Sequence, residues 1–256
     1  YNTNFGTANS LVITKDTRGP NKPATDVSWN EAARFVNWLN TSTGGSAAYK
    51  FTTSGVNDNI ALWDVSDTLD YDASNRYRSK RAKYVLPSYN EWYKAAYYNP
   101  NDSTYYDFPN GSNTAPTAVA NGTTSGTAVY NQSTDQGPAN VDQAGGLSPY
   151  GVMGLGGNVF EWEESSLDLT NSSGSSVRGF RGGFWGTTTL LNLSSTRRAT
   201  LDPSMGNSSR GFRVASLSSS SGGGGGGGEV PEPSTLAIFG LGALGMAYRS
   251  RRRKST

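Results

Sequence analysis

The chain has 256 residues, of which 34% are apolar and 11% aromatic, with 32 glycines and a formal net charge of +2. It contains no cysteine and no histidine, which excludes disulfides, thiolate nucleophiles, sulfur metal ligands and the commonest general base. Its basic balance is local: residues 229–256 carry five basic against two acidic groups, the rest has 17 against 18, and no nucleic-acid partner is expected.

One domain rich in loops, with aromatic side chains supplying much of the core, is the arrangement this composition suits. The chain begins at Tyr1 with neither an initiator methionine nor a signal peptide, which reads as a fragment or processed form. Residues 1–27 are polar, and only Leu11-Val12-Ile13 reads as a strand. Ser28 and Glu31 then stand at capping-box spacing, and Ala32, Phe35, Val36 and Leu39 follow on one helical face. The spacing predicts a helix over 28–40, ended by the run to Gly45.

Asp58, Asp64, Asp67, Asp70 and Asp72 precede Arg76, Arg78, Lys80, Arg81 and Lys83, without the tight ligand spacing and glycine of a calcium loop; a solvated loop is expected. Ser88 and Glu91 repeat the capping box, and Trp92, Ala95 and Ala96 mark the buried side of a second helix that Asn99-Pro100 stops. Residues 100–150 read as surface loops anchored by Tyr105, Tyr106, Phe108 and Tyr130.

Gly156-Gly157-Asn158-Val159-Phe160-Glu161-Trp162 reads as a tightly folded core loop. The tetrapeptides Arg178-Gly179-Phe180-Arg181 and Arg210-Gly211-Phe212-Arg213 read as two strands of one sheet. Glu161, Glu163 and Glu164 are too close in sequence for the carboxylate pair of a glycosidase, so a solvated acidic run is expected. Arg178, Arg181, Arg197, Arg198, Arg210 and Arg213 are expected to stack on Phe180, Trp185 and Phe212 rather than bind an anionic ligand.

Five blocks in order resemble the formylglycine-generating enzyme, or sulfatase-modifying factor, family over residues 24–216. They are Val27 to Ala32, Leu86-Pro87-Ser88 with Glu91-Trp92 and Ala95-Ala96, Gly157 to Trp162, Arg181 to Trp185, and Gly211 to Ala215. The resemblance implies an α+β, C-type-lectin-like fold with little regular secondary structure. It also implies a copper ion on two cysteine thiolates in active members, where this chain has Thr187 and Asn192. Copper is therefore not expected. A possible calcium site is implied at the carbonyls of Gly157 and Val159 and the carboxylate of Glu161, although Gly154 replaces an upstream Asp or Asn. Glu161 accepting hydrogen bonds from loop amides or Arg181 is the alternative.

A Ser/Gly stretch at 217–230 separates this domain, 1–216, from a tail at 231–256. The tail has Pro231-Glu232-Pro233, an uncharged Ser234 to Tyr248, and Arg249, Arg251, Arg252, Arg253 and Lys254. As a helix the uncharged part would be about 22 Å long, short for a bilayer unless its flanks snorkel, and the basic end would stay cytoplasmic as a membrane stop. This arrangement resembles the PEP-CTERM sorting signal. That resemblance implies export in a Gram-negative bacterium, transient anchoring in the inner membrane, and cleavage near Pro231 to Pro233 by an exosortase; a permanent C-terminal anchor is the alternative. Together the resemblances imply a non-catalytic relative at the cell surface or in the extracellular matrix that binds a glycan, a peptide or a matrix protein. An oxidase of protein cysteine working without copper thiolates is the competing expectation.

Overall fold

A computed structural model of the chain describes Gly19 and residues 21–217. The Leu11-Val12-Ile13 strand, the glycine run, the Pro231-Glu232-Pro233 segment, the apolar helix and the arginine-rich end lie outside the described residues. Among the described residues no helix is long and apolar enough to cross a membrane.

Two helices form where the capping boxes predict them. In α1 (Trp29–Ser42) the Ser28 hydroxyl accepts from the Glu31 amide, and the Glu31 carboxylate accepts from the Ser28 amide. The same reciprocal pair, Ser88 with Glu91, opens α2 (Tyr89–Tyr97). Helix α1 runs past residue 40 because the hydroxyls of Thr41, Ser42 and Thr43 donate back to the carbonyls of Asn37 and Leu39. Buried Asn40 accepts from the amides of Lys83 and Tyr84 and donates to the Tyr84 carbonyl, tying α1 to its neighbouring strand. Replacing Ser88 with alanine should cost about 1 kcal/mol, read as a lowered urea midpoint at unchanged slope.

The strands are β1 (Tyr84–Val85), β2 (Tyr98–Asn99), β3 (Thr104–Tyr105), β4 (Thr117–Ala118), β5 (Thr127–Ala128), β6 (Phe160–Ser166), β7 (Arg178–Arg181), β8 (Ala199–Leu201), β9 (Arg210–Gly211) and β10 (Ala215–Ser216). Four of them make the central sheet in the order β8-β7-β6-β9, with β6 antiparallel to β7 and parallel to β9. The two Arg-Gly-Phe-Arg segments thus lie on opposite sides of β6 in one sheet. The remaining strands pair in twos.

Elsewhere the chain closes its turns with side chains. Asp64, Asp72, Asp102, Asp202 and Asn207 each accept from the backbone amide two residues on. Such turns satisfy backbone donors that would otherwise need a strand or helix partner. The fold is accordingly α+β and rich in loops.

The sheet lies between the helices. Trp162 and Phe180 share a core with Trp29, Ala32, Ala33 and Val36 of α1, while Glu161 and Arg181 meet Trp92 of α2. Five of the six tryptophans donate their indole N–H to the chain: Trp29 to the Glu163 carbonyl, Trp162 to Val27, Trp63 to Ala48, Trp185 to Thr134, and Trp92 to the Glu161 carboxylate. Large rings can carry so much of the core because their one polar atom is bonded.

Candidate functional site

The acidic run on β6 is not solvated. Glu161, Glu163 and Glu164 are 5%, 0% and 0% exposed, because both faces of the strand are covered and its alternation sends Glu161 and Glu163 to one side and Glu164 to the other. Burial of a carboxylate demands a paired, hydrogen-bonded partner.

Glu163 has two such partners. Arg181 Nε lies 2.5 Å from one oxygen and Arg198 Nε 2.7 Å from the other. Arg198 also donates to the carbonyls of Leu167, Ser165 and Ser166, and both guanidinium groups pack over the Tyr89 ring, at 4.9 and 5.1 Å. Gly179 has no side chain because a Cβ there would overlap the Glu163 carboxylate and Arg198.

Glu164 points to the other face. It accepts from the Tyr49 hydroxyl at 2.9 Å and from the Asn75 amide, with Arg78 Nε at 3.7 Å. Arg78 also makes a bidentate pair with Glu91, at 2.8 and 3.2 Å. Burial pushes the Glu164 carboxyl up against the opposing charge of Arg78. For Glu91 burial also pushes upward, but Arg78 and the capping bonds outweigh it and hold the group below the ordinary value. The two therefore act with opposite sign. Glu164 contributes most stability below its ordinary value of 4.5 and loses it as pH rises through its raised folded value, whereas Glu91 loses its contribution as pH falls. Unfolding midpoints of Glu164→Gln measured above pH 4.5 should rise more steeply with pH than those of the wild type.

Glu161 sits three residues beyond the Gly157-Asn158 turn. Asn158 adopts φ 62°; its amide donates to the Val129 carbonyl at 2.7 Å, its side chain accepts from the Ala139 amide at 2.8 Å, and its carbonyl accepts from Trp185. Gly157 donates to Gly182, and Val159 packs with Val129, Ala139 and Trp185. The motif is thus a junction between three loops. One carboxylate oxygen of Glu161 accepts from Trp92 Nε1 at 2.8 Å and from Arg213 Nε, the other from Arg213 Nη2. The partner is Arg213, not Arg181.

Calcium takes six to eight oxygen ligands. Here both oxygens of the Glu161 carboxylate face N–H donors, and among the described residues no group of three acidic, histidine or cysteine side chains could hold a metal. As arranged, these residues do not fit the ion.

The two positions implied for copper are adjacent in space. A turn of 3-10 helix, Leu190–Leu193, folds the chain back so that Asn192 Nδ2 donates to Thr187 Oγ1 at 2.7 Å. Thr187 is buried and its carbonyl accepts from the Asn131 amide. Two neutral oxygen and nitrogen groups occupy the positions, and with no cysteine in the chain a copper–thiolate site is excluded.

Arg178 and Arg210 do stack on rings, mostly on other rings than expected. Arg178 lies over Trp29 at 4.4 Å and Tyr77 at 4.1 Å, and Arg210 over Phe180 at 3.9 Å and Trp162 at 4.9 Å. Burial lowers both guanidinium groups to about 10. Among the described residues, no arginine is placed over Trp185 or Phe212, whose rings instead meet Phe184 and Phe35. A belt of tyrosines also forms: Tyr89 stacks on Tyr93 at 5.8 Å, Tyr93 meets Tyr105 at 5.5 Å, and Tyr105 meets Tyr98 at 4.9 Å. Only the four-residue spacing of Tyr89 and Tyr93 on a helix announced it.

No curated protein matches the chain. Among solved structures, Treponema denticola variable protein 1 is 21% identical with a TM-score of 0.53, over 83% of this chain and 76% of that one. CarF is 20% identical, with a TM-score of 0.49 over 78% and 69% of the two chains. PvdO from Pseudomonas aeruginosa is 20% identical, with a TM-score of 0.44 over 77% and 62%. At such identities only the first likeness bears on the question, and on fold alone. The sorting-motif model for PEP-CTERM proteins matches residues 229–253, which implies export and processing by an exosortase. The family model for the sulfatase-modifying factor enzyme 1-like domain matches residues 7–217, most of the chain, and the protein belongs to that family.

Proposed function

We propose that this protein is an exported, non-catalytic member of the family that acts at the cell surface or in the extracellular matrix as a binding module for a glycan or matrix protein. The observation that carries the reading is the Thr187–Asn192 hydrogen bond at the positions where the resemblance calls for two thiolates. Neither group is a soft ligand, and no thiol exists in the chain to replace them. The sorting motif supports an extracellular destination, reached through transient anchoring in the inner membrane and release near Pro231-Glu232-Pro233.

The tyrosine belt supports the binding role. Tyr105 is half exposed, and it joins Tyr93 and Tyr98 in a surface of π faces and phenol hydroxyls, the combination that suits sugar rings and polar chains alike. Retention of the protein on immobilised matrix polysaccharide should fall in Tyr105→Ala, at the half-exposed ring, while the unfolding midpoint is kept.

Incubating the full chain with a cysteine-containing sulfatase peptide and weighing the product tests the absence of catalysis. The expected product mass is unchanged; conversion of the cysteine to formylglycine would overturn the reading in favour of an oxidase that works without copper thiolates. Replacing Pro231, Glu232 and Pro233 with alanine should leave the basic tail attached to the cell-associated protein, read by its intact mass.

A further inference from the structure

We propose that Arg213 is a fixed internal cation for the loop from Gly156 to Trp162, taking the place of the calcium ion that the family resemblance implies. Three observations converge on this residue. Its guanidinium spans the Glu161 carboxylate, with Nε on one oxygen and Nη2 on the other. The same Nη2 donates to the Met153 carbonyl at 3.1 Å, so one group gathers a carboxylate of the loop and a backbone oxygen of the segment leading into it, as a bound ion would. Finally, a β-carbon at Gly154, the position lacking the expected acidic or amide ligand, would stand 3.8 Å from Nη2. The guanidinium lies beside the missing ligand.

The backbone explains how the charge arrives there. Strand β9 runs parallel to β6, with Phe160 opposite Arg210 and Glu161 opposite Gly211. Two residues beyond Gly211, Arg213 reaches back to Glu161, and the intervening Phe212 is anchored against Phe35 at 5.5 Å. The first Arg-Gly-Phe-Arg segment does the equivalent for Glu163 through Arg181. The repeated tetrapeptide therefore supplies one buried cation to each of the two acids on the α2 face of β6. A tethered guanidinium needs no free ion in the medium, and a calcium ion could reach Glu161 only by displacing Arg213, whose side chain is 11% exposed, from its partner.

Thermal unfolding of the full chain with added calcium, up to about 10 mM, and with a chelator covers the affinity range of weak extracellular sites. The wild-type midpoint is expected to stay within about 1 °C across both conditions, a shift too small to signal specific binding. A calcium-dependent rise that the chelator reverses would overturn the proposal. In Arg213→Gln the midpoint should fall, and calcium should restore part of the loss by reaching the freed Glu161 carboxylate; an unchanged midpoint in that variant would equally defeat it. Should Arg213→Gln fail to fold, Arg213→Lys keeps the charge without the fork and is expected to fall between the two. Lys at the level of the wild type would show that two-pronged contact is not what holds the loop.

Discussion

Glu163→Ala is expected to remove about 3–5 kcal/mol of stability, the range for breaking one partner out of a buried ion pair. The carboxylate is wholly buried and shared by Arg181 and Arg198, at 2.5 and 2.7 Å. Taking it away leaves two guanidinium groups beneath α2 with no anion and opens a void above Gly179. Against a typical total of about 5–15 kcal/mol for a domain, this is a large fraction. Equilibrium urea unfolding of the full chain measures it. The double variant Glu163→Ala/Arg198→Ala should lose less than the sum of the single losses, since the second change removes a charge that the first has orphaned. A loss below 1 kcal/mol for Glu163→Ala would contradict the assignment.

Trp162→Ala should cost a comparable amount, about 3–5 kcal/mol, through the lost burial and the cavity left behind. Trp162 is fully buried, meets Phe180 edge to face at 5.7 Å, lies under Arg210, and donates its indole N–H to the Val27 carbonyl at 2.9 Å. Its removal therefore also strips Arg210 of one of its two rings, and Arg210 Nε and Nη1 have no hydrogen-bond partner to compensate. Trp162→Phe retains a ring and is expected to lose about 1–2 kcal/mol, mostly for the unpaired Val27 carbonyl. If the two variants lose the same amount, the ring contributes nothing beyond its hydrogen bond.

Both predictions concern residues whose roles the sequence disclosed unequally. The start of each helix was legible because a capping box is a local bond pattern: Ser28 with Glu31 and Ser88 with Glu91 lie three residues apart and need no distant partner. The membership of both Arg-Gly-Phe-Arg segments in one sheet was legible for a similar reason, since a glycine beside aromatic and charged residues signals close approach. The end of α1 was not, because its last turn is held by hydroxyls that equally well begin a loop.

The burial of the acidic run is hidden from the sequence for a physical reason. Three carboxylates in four residues look solvated when the burial of each face is unknown. A strand covered by a helix on both sides reverses that inference, provided that cations arrive from elsewhere. They do, from 18, 35 and 52 residues away for Arg181, Arg198 and Arg213, and no periodicity relates those positions.

The candidate site divides along the same line. Composition alone excludes the copper–thiolate chemistry, because a missing element cannot be supplied by folding. Motif order likewise identifies the family and the sorting signal, since both are linear patterns. Which charge faces Glu161, and that Thr187 and Asn192 share a hydrogen bond, were decided only in three dimensions. A carboxylate's partner is chosen by distance and desolvation, and strand register rather than sequence spacing sets both.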